Sequence, residues 1–151
     1  MNLARYIDHT NLKPTVTPED IKKLCVEARQ FGFKAVCVNS CYAALASELL
    51  KGSDVLVCVV AGFPLGAMST AAKKFEAERA VKDGASEIDM VMNIGLAKAG
   101  DWAAVEKDIS AVKQAILAAE LKVIIETCYL TDEEKIAACE ASDKLVYSRH
   151  G

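Results

Sequence analysis

An α/β protein built on a parallel sheet is what this sequence predicts. Three observations carry the prediction. Five short runs rich in Val, Ile and Met recur along the chain, stretches of helical period separate them, and the runs are apolar almost throughout instead of alternating with polar residues. Strand followed by helix, repeated, implies parallel strands joined by right-handed crossovers. Near-continuous apolar strands belong to a sheet covered on both faces.

The elements follow in order. YIDHT (6–10) reads as the first strand, and TPEDIKKLCVEARQFG (17–32) as the first helix. Thr17 is its N-cap, Pro18 takes the first helical position, and Ile21, Leu24, Cys25 and Ala28 share one side. KAVCVN (34–39) and CYAALASELLKG (41–52) form the second strand and helix, DVLVCVV (54–60) and STAAKKFEAERAVKDG (69–84) the third pair. EIDMVMN (87–93) precedes a helix over 101–120, and LKVIIET (121–127) precedes TDEEKIAACEA (131–141), where Thr131 and Glu134 stand at capping-box spacing. Gly32, Gly52 and Gly84 each follow a helix, where a left-handed residue is wanted. Two architectures fit: an open doubly wound sheet, or part of a (β/α)8 barrel. A complete barrel needs about 250 residues. With 151 residues, length alone favours the open sheet.

The composition, 52% apolar and 26% charged with a net charge of −3, is that of a soluble globular domain with a core of its own. Lys and Arg are dispersed, which argues against nucleic acid as a partner. No apolar run approaches the roughly 18 residues of a membrane span, and MNLARYIDHTNLKP lacks the apolar centre of a signal peptide. A cytoplasmic location is expected. The six cysteines include no C-x-x-C, and the only histidines are His9 and His150. Zinc-site spacing is therefore not visible. Most of the cysteines read as small buried hydrophobes in a reducing compartment, and a Cys37–Cys41 bridge is disfavoured.

Candidate chemistry begins with a contradiction in SEIDMVMNIG (86–95): Asp89 stands inside a run that otherwise reads as a buried strand. Burying an unpaired carboxylate costs several kcal/mol or protonates it. Asp8 and Glu126 occupy comparable positions in or at the end of strands, where parallel α/β folds gather functional residues. Taken singly, each acid is more readily a loop cap or a lysine partner. Lys34 and Lys122 open the second and fifth strands, and alternation puts Lys122 on the same side as Ile124 and Glu126. A lysine facing a barrel interior can attack carbonyls; a solvated strand-edge charge is the commoner role. Gly62 and Gly66 in AGFPLGAMST (61–70) match neither phosphate-binding glycine motif, so a structural turn is expected there. His9 with Cys37 makes a nucleophilic pair only by accident of fold.

Taken together, YIDHTNLKP, KAVCVN, VVAGFPLG, EIDMVMNIG and KVIIETCYLT resemble, in that order, the N-terminal part of deoxyribose-phosphate aldolase, from about residue 3 to residue 142. The resemblance implies a partial (β/α)8 TIM barrel of about five βα units. It implies reversible cleavage of 2-deoxy-D-ribose 5-phosphate into glyceraldehyde 3-phosphate and acetaldehyde, through a lysine Schiff base with no metal or other cofactor. By the same resemblance Asp89 is the catalytic proton-relay acid. Asp8, Thr10 and Leu12 line the substrate pocket, Cys37 lies near it, Val60 and Phe63 form its apolar wall, and Lys122 is an electrostatic neighbour. The family's next strand carries K-T-S-T-G, whose first lysine forms the Schiff base. This sequence instead reads DKLVYSRHG over 143–151. That tail is expected to differ from the family, as truncation or a frameshift would leave it, with residues 1–142 as the barrel part. Lys144 lacks the motif and is not assigned the nucleophile's role, and the later strands' second lysine and phosphate-binding loops are likewise not matched. Little or no aldolase turnover is expected from these residues alone. Two open strand edges predict a homo-oligomer. The alternatives are a non-catalytic, self-assembling half-barrel and a small flavodoxin-like binding protein.

Overall fold

The computed structural model describes residues 2–146. A 3-10 turn (Leu3–Tyr6) leads into β1 (Asp8–Asn11), followed by α1 (Pro18–Phe31), β2 (Ala35–Val38), α2 (Ala43–Leu49), β3 (Leu56–Ala61), α3 (Thr70–Lys82), β4 (Glu87–Val91), α4 (Ile94–Lys98), α5 (Trp102–Ala115), β5 (Glu120–Ile124) and α6 (Asp132–Val146). The caps are those the sequence signals. Thr17 and Asp20 form a reciprocal box at α1, and Gly32 ends that helix in the left-handed conformation. At α6 the Thr131 amide donates to Glu134 Oε2 at 2.8 Å, and the Glu134 amide donates back to Thr131 Oγ1 at 3.2 Å.

The strands form one sheet in the order β1-β2-β3-β4-β5, every neighbouring pair parallel. A doubly wound sheet reverses its strand order at a switch point; this sheet never does. It also curls. Lys122 on β5 and Asp8 on β1 touch at 2.6 Å, although five strands laid flat would hold the outer two about 19 Å apart. Part of a barrel, not the open sheet that length favoured, is therefore the architecture. Length counts units and is blind to curvature.

Alternation along the curled strands separates two environments. On the convex face Val36, Val38, Val57, Val59, Ile88 and Met90 join Ile21, Leu24, Ile109 and Val112 of the helices in the main apolar core. Each such side chain, fully buried, contributes roughly 1.5–3 kcal/mol. The concave face holds a small second cluster of Ala35, Cys37, Cys58 and Val60, with Leu12 packed against it, and the charged residues described below.

Several boundaries differ from the sequence reading. The second helix begins as a 3-10 turn (Ser40–Tyr42) and ends at Leu49. The fourth predicted helix stops at Ala115, because Glu120 already pairs with Glu87 in the sheet and Leu117 turns the chain with φ 52°. A short α4 was not anticipated. The last helix crosses the expected 142/143 boundary without a break and runs to Val146; residues 147–151 lie outside the described residues, as does the side chain of Lys144. No helix among the described residues is long and apolar enough to cross a membrane.

Among the described residues the helix layer buries one charged pair. Lys73 of α3 is fully buried and donates to Asp108 Oδ2 of α5 at 2.6 Å and to the Val91 carbonyl at 2.9 Å, while Thr70 Oγ1 donates to Asp108 Oδ1 at 2.7 Å. Its stem fills the space beside Gly62, where an added Cβ would meet it at 3.1 Å. Gly66 is tighter still: at φ +64° a Cβ would stand 2.0 Å from the Met92 carbonyl oxygen. Both glycines are thus needed for close packing of the loop after β3, the structural role expected of them.

Candidate active site

β4 and β5 are in register with Asp89 opposite Lys122, and both side chains point into the concave face. Lys122 Nζ donates to Asp8 Oδ2 at 2.6 Å and lies 3.1 Å from Asp89 Oδ1 and 3.7 Å from Glu87 Oε2. Three acids from two strands thus surround one ammonium. Burial opposes the Lys122 charge, but the hydrogen bond to Asp8 and the negative charges of Asp89 and of any Cys58 thiolate outweigh it. They hold this lysine above the ordinary range. It is a firmly protonated cation, so its nucleophilicity as an amine is suppressed. The Lys122 side chain remains about one-third exposed, and that of Asp89 16%, so both reach the space enclosed by the curl.

Beneath Lys122, Asp8 and Asp89 lies a second charged layer. Lys34 pairs closely with the buried Glu87 and stands 3.7 Å from Glu120. Burial, then a hydrogen bond shared with Glu120, pushes the Glu87 carboxyl up, against the pull of Lys34 and Lys122. The same shared bond holds Glu120 below the usual carboxylate range. Hydrogen bonding to Glu87 raises Lys34. Neither lysine is a solvated edge charge, contrary to their commoner role. Glu87 went unnoticed in the sequence, although it lies two residues before Asp89 and alternation puts both on one face.

The remaining expected site residues are distributed unevenly. Cys37 and Val60 lie on the concave face and Leu12 packs against them. Thr10 is exposed, and its hydroxyl donates to the Asp8 carbonyl at 2.8 Å. Phe63 is 38% exposed in the loop after β3 and outside the concave apolar cluster. Glu126 is not part of the charged group: it caps the turn after β5 in a left-handed conformation, and Cys128 Sγ donates to it. Asp89 and Lys122 sit mid-strand rather than at the carboxyl ends. His9 faces α1 and bonds Glu27 at 2.7 Å, away from Cys37.

The cysteines divide evenly. Cys25, Cys37 and Cys58 are buried, whereas Cys41, Cys128 and Cys139 are exposed, and all six are free. The reading of most as buried hydrophobes is thus corrected to half, and no Cys37–Cys41 bridge forms. Cys37 and Cys58 are register partners across β2 and β3. Their hydrogen bond, then burial, pushes the Cys58 thiol far up. The two sulfurs and a carboxylate oxygen of Asp89 lie within 4.8 Å of one another.

This arrangement fits proton handling: a carboxylate and a fixed cation face an apolar recess bounded by Cys37, Cys58 and Val60. Comparison with known proteins bears on which chemistry uses it. A model of the DeoC/LacD family of aldolases matches residues 3–148. The chain belongs to that family. A deoxyribose-phosphate aldolase of Finegoldia magna is 60% identical over 144 residues, covering 95% of this chain and 68% of that protein. That of Aciduliprofundum boonei is 58% identical, covering 94% of this chain and 65% of that protein. The tetrameric deoxyribose phosphate aldolase of Aeropyrum pernix superposes with a TM-score of 0.87 at 33% identity, over 95% of this chain and 60% of that one. This DeoC/LacD family chain thus spans 60–68% of the length of these three relatives. The family model also reaches six residues past 142, the limit of the motif resemblance.

Proposed function

We propose that this chain supplies the first five βα units of a deoxyribose-phosphate aldolase, with residues 1–142 as the barrel part and Asp89 as its proton relay. The substrates would be 2-deoxy-D-ribose 5-phosphate in one direction, glyceraldehyde 3-phosphate and acetaldehyde in the other. The observation that carries the reading is the placement of Asp89 beside Lys122 and Asp8 on the concave face of a curled parallel sheet. The paired charges explain how an acid is tolerated inside a strand. Carbinolamine dehydration and enamine formation both require a proton to be moved at a site poor in water. Asp89 exchanges that proton; Lys122, itself anchored by its hydrogen bond to Asp8, holds the Asp89 carboxylate in place. Cys37, Val60 and Leu12 wall the recess for the small aldehyde, with Thr10 and Phe63 at its margin.

The Schiff-base nucleophile belongs to a sixth-strand K-T-S-T-G that these 151 residues do not contain. Turnover by this polypeptide alone is accordingly expected to be slight or nil. A cytoplasmic location is proposed, as is self-association through the β1 and β5 edges, which have no further strand partner among the described residues.

The test is reconstitution. This chain is mixed with a separate polypeptide carrying the remaining barrel units, and cleavage of deoxyribose 5-phosphate is followed. Activity should appear with the native sequence and vanish with Asp89→Asn. Borohydride trapping with acetaldehyde should mark only the added fragment. A stable adduct on a lysine of this chain, lost on its substitution, would overturn the proposal.

A further inference from the structure

The thiols of Cys37 and Cys58 and the carboxylate of Asp89 are drawn from three strands onto one patch of the concave face. We infer that they form a binding site for a thiophilic divalent cation of the zinc or cadmium kind. The three donor atoms already lie within 4.8 Å of one another. A tetrahedral centre with metal–sulfur bonds of about 2.3 Å and a metal–oxygen bond of about 2.1 Å spaces its donors roughly 3.4–3.8 Å apart. Closing that gap needs rotamer adjustment, not movement of the sheet. Cys37 and Cys58 are held side by side by the β2–β3 register. They are 3% and 0% exposed, so the donors sit on rigid backbone and most of their hydration is already gone.

Charge accounting supports the same cation class. Two thiolates and a carboxylate carry three negative charges and a divalent cation two positive ones. Exchanging two thiol protons for one divalent cation therefore leaves the charge of the site unchanged, and Asp89 keeps beside it the Lys122 ammonium, 3.1 Å from its Oδ1 and shared with Asp8. On binding, each thiol releases its proton to solvent as its sulfur–metal bond forms, and the ion sheds water molecules. Sulfur donors favour zinc, cadmium or cuprous copper over magnesium and calcium. A water molecule would complete the shell at the fourth position. Among the described residues no other group of three Cys, His, Asp or Glu donors comes this close together. Spacing along the sequence could not show the site, because each donor sits on a different strand. A cation here takes the carboxylate that the proposed relay uses, so it would exclude aldolase chemistry; the binding itself is independent of that reading.

The experiment uses the 151-residue chain, reduced with a phosphine and titrated with cadmium chloride. Thiolate-to-cadmium charge-transfer absorbance should saturate at one ion per chain. X-ray absorption of the loaded protein should give two sulfur neighbours, with oxygen completing the shell. The variant Cys41→Ser/Cys128→Ser/Cys139→Ser, which removes the exposed thiols, should keep the band. Cys37→Ser or Cys58→Ser should weaken binding by more than the roughly 10–100-fold that loss of an outer-shell partner costs. Absence of a saturable band overturns the inference, as does its loss in the triple variant. So does a sulfur count of zero, one or four on the unmodified chain, a readout that does not depend on whether the Cys37 or Cys58 variants fold.

Discussion

On its convex side β4 presents Ile88 and Met90 to the apolar layer under the helices; on its concave side the same five-residue strand presents Glu87 and Asp89. The contrast extends across the sheet. Convex positions are filled by Val, Ile, Leu and Met at close packing, and the one fully buried charged pair among the described residues on that side, Lys73–Asp108, is sealed and hydrogen-bonded. Concave positions hold two lysines, acids with incompletely bonded oxygens, and two thiols. Asp8 Oδ1 and Glu87 Oε2 are buried without a hydrogen-bond partner. An interior that served only stability would not keep such oxygens, since each costs about 1–3 kcal/mol. The convex face holds the fold together, and the concave face gives up part of that stability to hold charged groups in place.

The largest effect expected from testing this contrast is in the helix layer. Lys73→Met should cost about 3–5 kcal/mol in urea unfolding, because it leaves the buried Asp108 carboxylate without its counter-charge. Pairing it with Asp108→Leu should recover most of the loss; no recovery would mean that the pair does more than fill space. Next, Ile88→Ala should cost about 2–4 kcal/mol by opening a cavity under the helices. An equal loss from Cys58→Ala on the opposite face would break the comparison.

A third prediction concerns alkaline pH. Cys58 is raised above its ordinary value, and burial pushes Cys25 from 9.0 up to about 11. The folded state therefore keeps protons that the unfolded chain releases. The stability this provides is complete below about pH 9, is lost as pH rises through the folded values, and falls by up to about 1.4 kcal/mol per pH unit per thiol. Thermal melts between pH 8 and pH 11 should show the decline, and Cys25→Ala should flatten it. The smallest effect is expected at Asp89. Asp89→Asn should change stability by no more than about 1 kcal/mol, since its partner Lys122 is partly exposed, while abolishing reconstituted turnover. A loss as large as that of Ile88→Ala would assign Asp89 to structure.

Local rules made much of this legible. The caps at Thr17 and Thr131 follow from side chains that bond amides three residues on, and the strands follow from apolar runs. Asp89 was visible because it contradicts its neighbours. The pairs that close across space were not. Lys73 and Asp108, 35 residues apart, leave one faint signal: Lys73 shares a helical face with the buried Ala77 and Ala80. The Cys37–Cys58–Asp89 group exists only once the strand register is known. Curvature, which separates a barrel from an open sheet, has no residue-level signature here, and the resemblance of the ordered motifs carried that step.

The contact between Lys122 and Asp8 bridges 114 positions of chain. The entropy of closing so long a loop must be overcome before the contact gives anything back. On the ribosome, Asp8 emerges long before its counter-charge exists. Asp8 therefore waits through the making of four more strands, and the curl can lock only once β5 has been made.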